Sequence, residues 1–447
     1  MSLSRDSFDL VVVGAGICGL AHALAATRRG LKVAVVERDA QANGASIRNF
    51  GFVTVTGQQA GACWRRALRS RDVWAELAPQ AGIRIEHRGL AVAARRQEAV
   101  AVLEAFRATE MGAACELVPA VAAVGRFPML APAGLRTVLW SPHELRVESR
   151  QAIPALARWL AEAHGVRFLH GAQVRAVEPP VVATSAGTLR APRCVVCPGD
   201  DLVSLFPDRL ATYGLVRCKL HMLRLAADPA LPRFTAAVMS DLGLVRYLGY
   251  AELPEAAALR NRLELEQGRH LANGVHLIAV QSEDGSLVVG DSHHYAATPD
   301  PFAPDTVDEL ILDELRQVVA LPGPVVRERW IALLAAFVVV TNTTLVSVAQ
   351  RTREIGIRRA IGARRANISA EVLAESLIVS VVGALAGLLF VTALVAAASA
   401  LLKLPLSLTP ATLARSLFMA AAAGLLSGAL PAVRAARADI LNALRTE

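Results

Sequence analysis

Residues 9–38, DLVVVGAGICGLAHALAATRRGLKVAVVER, restrict the fold more than any other stretch of the chain. Leu10-Val11-Val12-Val13 is an apolar run of the length of a buried strand. Gly14-x-Gly16-x-x-Gly19 follows at once and opens a small-residue helix from about Ile17 to Arg29. A second apolar strand, Lys32 to Val36, ends on Glu37 and Arg38. Strand, glycine turn, helix and strand make a βαβ unit with a dinucleotide fingerprint in its proper context. Gly14 permits the tight turn, Gly16 lets backbone approach a pyrophosphate, and Gly19 lets helix pack on strand. With Ala15, Ile17 and Cys18 between them, these residues place the free N–H groups and positive dipole of a helix N-terminus against the phosphates. Glu37, 18 residues after Gly19, stands where an acid hydrogen-bonds a ribose hydroxyl.

Gly44-Ala-Ser46-Ile-Arg48-Asn49-Phe-Gly51 then reads as a loop running beside a large planar cofactor. Helix is expected over 58–82, with Trp64, Leu68, Val73, Trp74 and Leu77 as core residues. Strand and helix follow at 85–94 and 96–110, a strand at 135–140, and an amphipathic helix at 149–164. Residues 165–170 read as strand, 174–177 and 181–184 as a hairpin, and Cys194 to Gly199 as a buried strand running into a glycine turn. Lys219 and His221 alternate with apolar residues on a strand, read chiefly as a surface strand. Leu287-Val-Val-Gly290-Asp291-Ser292-His293-His294-Tyr295 is a strand entering a polar cluster, and His293 and His294 are the candidate substrate-side residues. The alternative for the two histidines is a solvated loop.

Composition narrows the class. The 47 Lys and Arg against 39 Asp and Glu leave a net charge of +8, but only three residues are lysine (Lys32, Lys219, Lys403) and many arginines flank apolar segments, which does not point to nucleic acid. All six cysteines precede residue 220. Cys194-x-x-Cys197 falls in a strand, where residues three apart face opposite sides, so no metal is expected, and the cysteines read as reduced cytosolic core residues. The N-terminus carries no apolar signal segment.

On Gly14, Gly16, Gly19 and Glu37, the 44–51 segment, the strand with Val174 and the Val195-Val-Cys-Pro-Gly199 turn, residues 8 to about 330 resemble the D-amino-acid-oxidase-like FAD-dependent oxidoreductases of the glycine/sarcosine oxidase type. Within them the chain looks most like a subgroup associated with aminoalkylphosphonate breakdown. The resemblance implies a Rossmann-type FAD-binding domain, about 8–60 and 145–200, with an interleaved α+β substrate domain, mainly 60–145 and 200–300. It implies FAD contacts from Gly14, Ala15, Gly16, Ile17, Cys18, Gly19, Glu37, Arg38, Ser46, Asn49, Gly51, Val174 and Gly199. It also implies hydride transfer to flavin from a C–H beside the nitrogen of a small amine or aminophosphonate, chemistry that the cofactor carries. In that family a Trp such as Trp330 precedes a Gly, a substrate-side strand and a glycine-rich segment. None of these is legible here.

Composition breaks at residue 330. Residues 331–349, 377–402 and 416–433 hold 19, 26 and 18 residues without a charge. Each matches the roughly 20 residues that span a bilayer, so an all-α bundle of three transmembrane helices is expected. Gly383-x-x-x-Gly387 and Gly424-x-x-x-Gly428 allow close helix contact. Six arginines and one glutamate between residues 351 and 365 place that loop in the cytoplasm. This half resembles the C-terminal membrane domain of macrolide-exporter/lipoprotein-release type ABC transporter permeases. The match lies on Arg351-Thr-Arg353-Glu-Ile-Gly356-Ile-Arg358-Arg359-Ala-Ile-Gly362-Ala and on Pro431-Ala-x-Arg434-Ala-Ala-Arg437. It implies an inner-membrane location and a separate ATPase subunit meeting the 351–365 loop, since the chain has no GxxxxGK[ST] of its own. The arginine loop puts residue 330 outside, whereas the first half reads as cytosolic. The chain reads as a chimera, with a permease fragment carrying a flavoprotein passenger as the alternative function.

Overall fold

The computed structural model describes residues 7–321 and 323–337. The chain divides into two units, Met1–Val338 and Val339–Glu447, and the second lies outside the described residues.

The described residues of the first unit form two principal sheets and a small third one. Leu10–Val13, Val33–Val36 and Arg167–Leu169 run parallel on one side of the first strand, and Cys194–Val196 runs parallel on its other side. Leu10–Val13 and Val33–Val36 are continuous apolar runs because both faces are covered, as in other parallel sheets. Helices Ile17–Thr27 and Ser149–His164 pack on them through Leu20, Ala23, Leu24, Ile153, Leu156 and Leu160. Gly19 makes this closeness possible: a Cβ there would stand 1.9 Å from the Gly14 carbonyl oxygen. The expected hairpin gains a third strand and becomes the antiparallel sheet Val174–Glu178, Val181–Thr184, Gly187–Arg190.

The second, 10-stranded sheet is mixed and mostly antiparallel. Its central strands Ile85–Ala94, Thr137–Val147, Ala237–Ser240, Ile278–Gln281, Leu287–Gly290 and Leu215–Leu225 carry the largest core, closed by helices Gln97–Arg107, Ala256–Ala272 and Asp305–Val318. The chain passes from one sheet to the other several times, which gives the expected α/β dinucleotide-type half and interleaved α+β half.

A domain boundary is expected at residue 330. One strand, Val326–Phe337, runs through it and pairs antiparallel with Leu215–Leu225, with Ile331 opposite His221 and Phe337 opposite Leu215. The first seven residues of the first expected membrane helix are therefore strand. A short apolar run is compatible with a buried strand or a helix; here the edge of Leu215–Leu225 takes up its backbone groups and buries Ala332 completely. Among the described residues no helix is long and apolar enough to cross a membrane. The remainder of that span, 338–349, and the spans at 377–402 and 416–433 lie outside the described residues.

Within the large sheet His87 is 7% exposed and neither ring nitrogen has a hydrogen-bond partner. Burial, reinforced by Arg146, pushes its pKa down to about 3. The folded value lies below the unfolded one of about 6.5, so the fold holds the neutral ring. The associated stability is complete above about pH 6.5 and is lost as pH falls toward 3, by about 2 kcal/mol at pH 5. His87→Leu, close in volume and without a titrating group, is expected to remove that share of the acid sensitivity. Urea unfolding at about pH 7 and 5, followed by tryptophan fluorescence, measures it; equal losses in both proteins would refute the assignment.

Candidate functional site

A groove opens at the carboxyl ends of the parallel strands. It lies where the chain leaves Leu10–Val13 to one side for Val33–Val36 and the sheet continues on the other side with Cys194–Val196. That is the switch point at which open α/β sheets bind ligands. Gly14, Gly16, Glu37, Arg38, Ser46, Val174 and Gly199 of the expected residues line it. Glu37, 8% exposed, accepts the Ala15 N–H at 2.8 Å through Oε2 and the Asp39 N–H at 3.1 Å through Oε1. Its carboxylate is thereby fixed at the end of its strand. Ser46 Oγ accepts the Ile17 N–H at 2.9 Å, bringing the 44–51 loop onto the N-terminus of the Ile17–Thr27 helix. Gly16 lacks a side-chain cap, and a Cβ there would meet only Ser46 Oγ, at 3.1 Å, and Ser46 Cβ, at 4.0 Å. Gly44 and Gly199 would carry a Cβ into open space. A helix N-terminus, bare backbone and a fixed carboxylate in one groove fit the pyrophosphate and ribose of a dinucleotide.

The other expected residues serve the frame. Cys18 is exposed on the helix, and its carbonyl lies 2.7 Å from His22 Nδ1. Gly19 faces Gly14. Asn49 Oδ1 accepts the Phe50 N–H, and the Asn49 carbonyl accepts Ser149 Oγ at 2.9 Å. Gly51, at φ +67°, would drive a Cβ to 1.8 Å from the Val147 carbonyl. These four do not line the groove, nor do Ala15 and Ile17, whose N–H groups bond Glu37 and Ser46, whereas Gln173, Asp200 and Asp201 do. Spacing did not reveal the last three because their loops meet the groove only through strand order.

The 44–51 loop continues toward the large sheet. Trp330 Nε1 donates to the Arg48 carbonyl at 2.7 Å, and Arg150 lies over the Trp330 ring at 5.2 Å. Phe50 reaches Gly290. Lys219 and His221 are buried at 7% and 2% exposure, contrary to the expected surface strand. Lys219 Nζ donates to the carbonyls of Asp300 and Phe302 at 2.9 Å, and His221 Nε2 lies 2.7 Å from Asp308 Oδ1. Asp308 also pairs with Arg329 on the strand that crosses residue 330.

His293 and His294 are not a solvated loop. His294 Nε2 lies 3.2 Å from Asn273 Oδ1, and burial, with Lys219 nearby, lowers its pKa. His293 enters a buried group with His276 and Asp291, and burial, with Arg246, pushes its pKa down to about 3. Both rings are neutral near pH 7. Cys194 and Cys197 are free, and burial raises both thiols to about 11. Cys18 and Cys63 are exposed, so not every cysteine is a core residue.

Residues 9–343 match the family model described as FAD dependent oxidoreductase, and residues 330–440 match that of the FtsX-like permease C-terminal region. The two matches overlap across the end of the Val326–Phe337 strand. The fold is similar to that of glycine oxidase from Bacillus cereus ATCC 14579, with TM-score 0.58 and 17% identity, covering 73% of this chain and 82% of that one. It is also similar to L-proline dehydrogenase from P. horikoshii, with TM-score 0.60 and 16% identity, covering 74% and 83%. At these identities the likeness concerns fold alone. The macrolide export ATP-binding/permease protein MacB of Azoarcus sp. (strain BH72) is 48% identical over 119 residues, 26% of this chain and 18% of that protein. The chain thus spans about a fifth of the length of the curated relatives it matches.

Proposed function

The chain belongs to the FAD dependent oxidoreductase family, whose cofactor is FAD, and from that premise we propose that its first unit oxidises a small amine or aminophosphonate at the C–H beside nitrogen. The observation that carries this reading is the groove at the sheet's switch point, with Glu37 and Ser46 fixed on either side of the glycine turn. Bound FAD supplies the hydride acceptor. The protein's part is to hold and orient. The N-terminus of the Ile17–Thr27 helix and Gly16 take the pyrophosphate, Glu37 takes a ribose hydroxyl, and Arg38, Val174 and Gly199 close the adenosine side. The 44–51 loop extends the groove toward Gly290 and Trp330, where the substrate binds. His294, opposite Lys219 and with its ring nitrogens facing Asn273 Oδ1 and Ser292 Oγ, adds no charge to the substrate side at pH 7. His293 is committed to the buried group beside it. The test is anaerobic addition of glycine, sarcosine and 2-aminoethylphosphonate to the detergent-purified, flavin-loaded chain. Bleaching of the flavin band near ~450 nm by one of them is the expected result. A loaded chain that no amine bleaches would remove the amine assignment.

A second reading rests on the 330–440 match. Residues beyond the strand anchor the chain in the cytoplasmic membrane, and the Arg351 to Arg365 loop meets a separate ATPase. Sedimentation of the full chain with washed membranes supports the membrane placement, and a changed protease accessibility of both chain ends when Arg358, Arg359, Arg364 and Arg365 are reversed to glutamate supports the charge argument; unchanged accessibility counts against it.

A further inference from the structure

Fifteen residues separate His276 from Asp291, and nothing in their spacing links them. The fold joins them directly. The His276 N–H donates to the Asp291 carbonyl at 3.2 Å, and the Asp291 N–H donates to the His276 carbonyl at 3.1 Å. The third member is held as firmly. The His293 N–H donates to the Asn273 carbonyl at 3.1 Å, and the turn at Gly274, φ +60°, packs so closely that a Cβ there would stand 2.9 Å from the His293 Cβ. Backbone pairing therefore sets three side chains around one point.

Their donor atoms lie within 4.8 Å of one another. Asp291 Oδ1 is 3.2 Å from His276 Nδ1 and 3.7 Å from His293 Nδ1. Ligands about 2.1 Å from a shared tetrahedral ion stand about 3.4 Å apart. His276 and Asp291 are 2% and 4% exposed, and His276 Nδ1 and Asp291 Oδ1 have no hydrogen-bond partner. Such orphaned buried groups call for a proton or an ion between them. The other nitrogen of His276 lies 3.3 Å from the Tyr247 hydroxyl, a partner that holds the ring with Nδ1 facing the carboxylate. Arg246, the nearest fixed cation, donates instead to the Tyr295 hydroxyl at 2.8 Å. His293 Nδ1 also lies 3.2 Å from the Gly274 carbonyl, and that contact is exchanged when the ring becomes a ligand.

We propose that His276, Asp291 and His293 form a binding site for a first-row divalent cation of the zinc or iron(II) class. Two imidazoles and one carboxylate select that class over magnesium or calcium, which prefer oxygen ligands. Three protein ligands leave a coordination position open. The site joins the Ile278–Gln281 and Leu287–Gly290 hairpin to the Asn273–Gly274 turn, and none of its three residues is among those lining the groove at the switch point.

The probe is Co(II), added to the detergent-purified full chain after chelator treatment. About one equivalent should bind with the visible ligand-field bands of a low-coordinate N,N,O site. Asp291→Asn keeps the size and hydrogen-bonding shape of the side chain; it is expected to weaken binding at least tenfold while circular dichroism and the flavin band stay unchanged. His276→Gln serves as the second variant. Failure of the wild-type chain to take up cobalt would show that a proton alone occupies the cluster. Equal uptake by the wild-type chain and both variants would place the ion elsewhere. Either result overturns the proposal, and neither bears on flavin binding.

Discussion

Gly16→Val is expected to leave the chain folded and without flavin, whereas Gly19→Val is expected to keep the first unit from folding. The two glycines belong to one motif, but their neighbours differ. At Gly16 an added Cβ meets the hydroxyl of Ser46 at 3.1 Å, the end of a small side chain that can turn away. The valine methyls would then occupy the groove where the proposed pyrophosphate lies. Affinity for FAD should fall roughly a hundredfold or more, about 3 kcal/mol. At Gly19 the added Cβ stands 1.9 Å from a backbone oxygen and 3.3 Å from Val12 Cγ1. Helix and strand must separate, at a cost of about 3 kcal/mol or more. Circular dichroism and the flavin band, read together, divide the two. A Gly16→Val chain with stoichiometric flavin would move the cofactor out of this groove.

Glu148→Ala is expected to destabilise the first unit by about 3–5 kcal/mol, because it leaves the buried Arg146 guanidinium, and the half-buried one of Arg224 beside it, without their counterion. Arg146 is fully buried, and its Nη2 donates to Glu148 Oε2 at 2.9 Å. Arg224 approaches both carboxylate oxygens at 3.4 Å, and Ser282 Oγ donates at 2.8 Å. Burial alone would raise the Glu148 pKa; Arg146, Ser282 and Arg224 outweigh it and hold the carboxyl below its usual range. The folded carboxylate thus contributes stability that is present above the unfolded pKa of about 4.3 and is lost as pH falls below it. Glu148→Gln keeps an acceptor for Ser282 and removes only the charge, so its loss should lie between wild type and alanine. Equal losses for both variants would mean that charge carries the whole effect, and a loss under about 1 kcal/mol for alanine would show the network to be a surface pair in energetic terms. The network also bears on the groove. Glu148 immediately precedes the Ser149–His164 helix, whose Ser149 Oγ donates to the carbonyls of Ile47 and Asn49 at 2.8 and 2.9 Å. Weakening it should loosen the 44–51 segment that Ser149 holds.

The parallel sheet and its cofactor were legible in the sequence because their signals are local. Leu10 to Val13 is apolar throughout because its strand is covered on both faces, and Gly14 and Gly19 are required by turn and packing within a few residues of each other. The 149–164 helix was equally legible, from its period of 3.6. The resemblance of residues 351–365 to a permease segment likewise needed no coordinates. What the tertiary structure decided were pairings between distant segments. Ile331 to Phe337 has the composition of a membrane helix and the conformation of a strand, because the open edge of Leu215–Leu225 was there to receive it. Lys219 and His221 became buried when Asp300, Phe302 and Asp308 were folded over them. His276 met Asp291 and His293 through backbone bonds between chain segments that periodicity treats as unrelated. Local pattern reports which face of an element is apolar; it carries no record of which other element will cover that face, and burial, charge and ligand geometry follow from the cover.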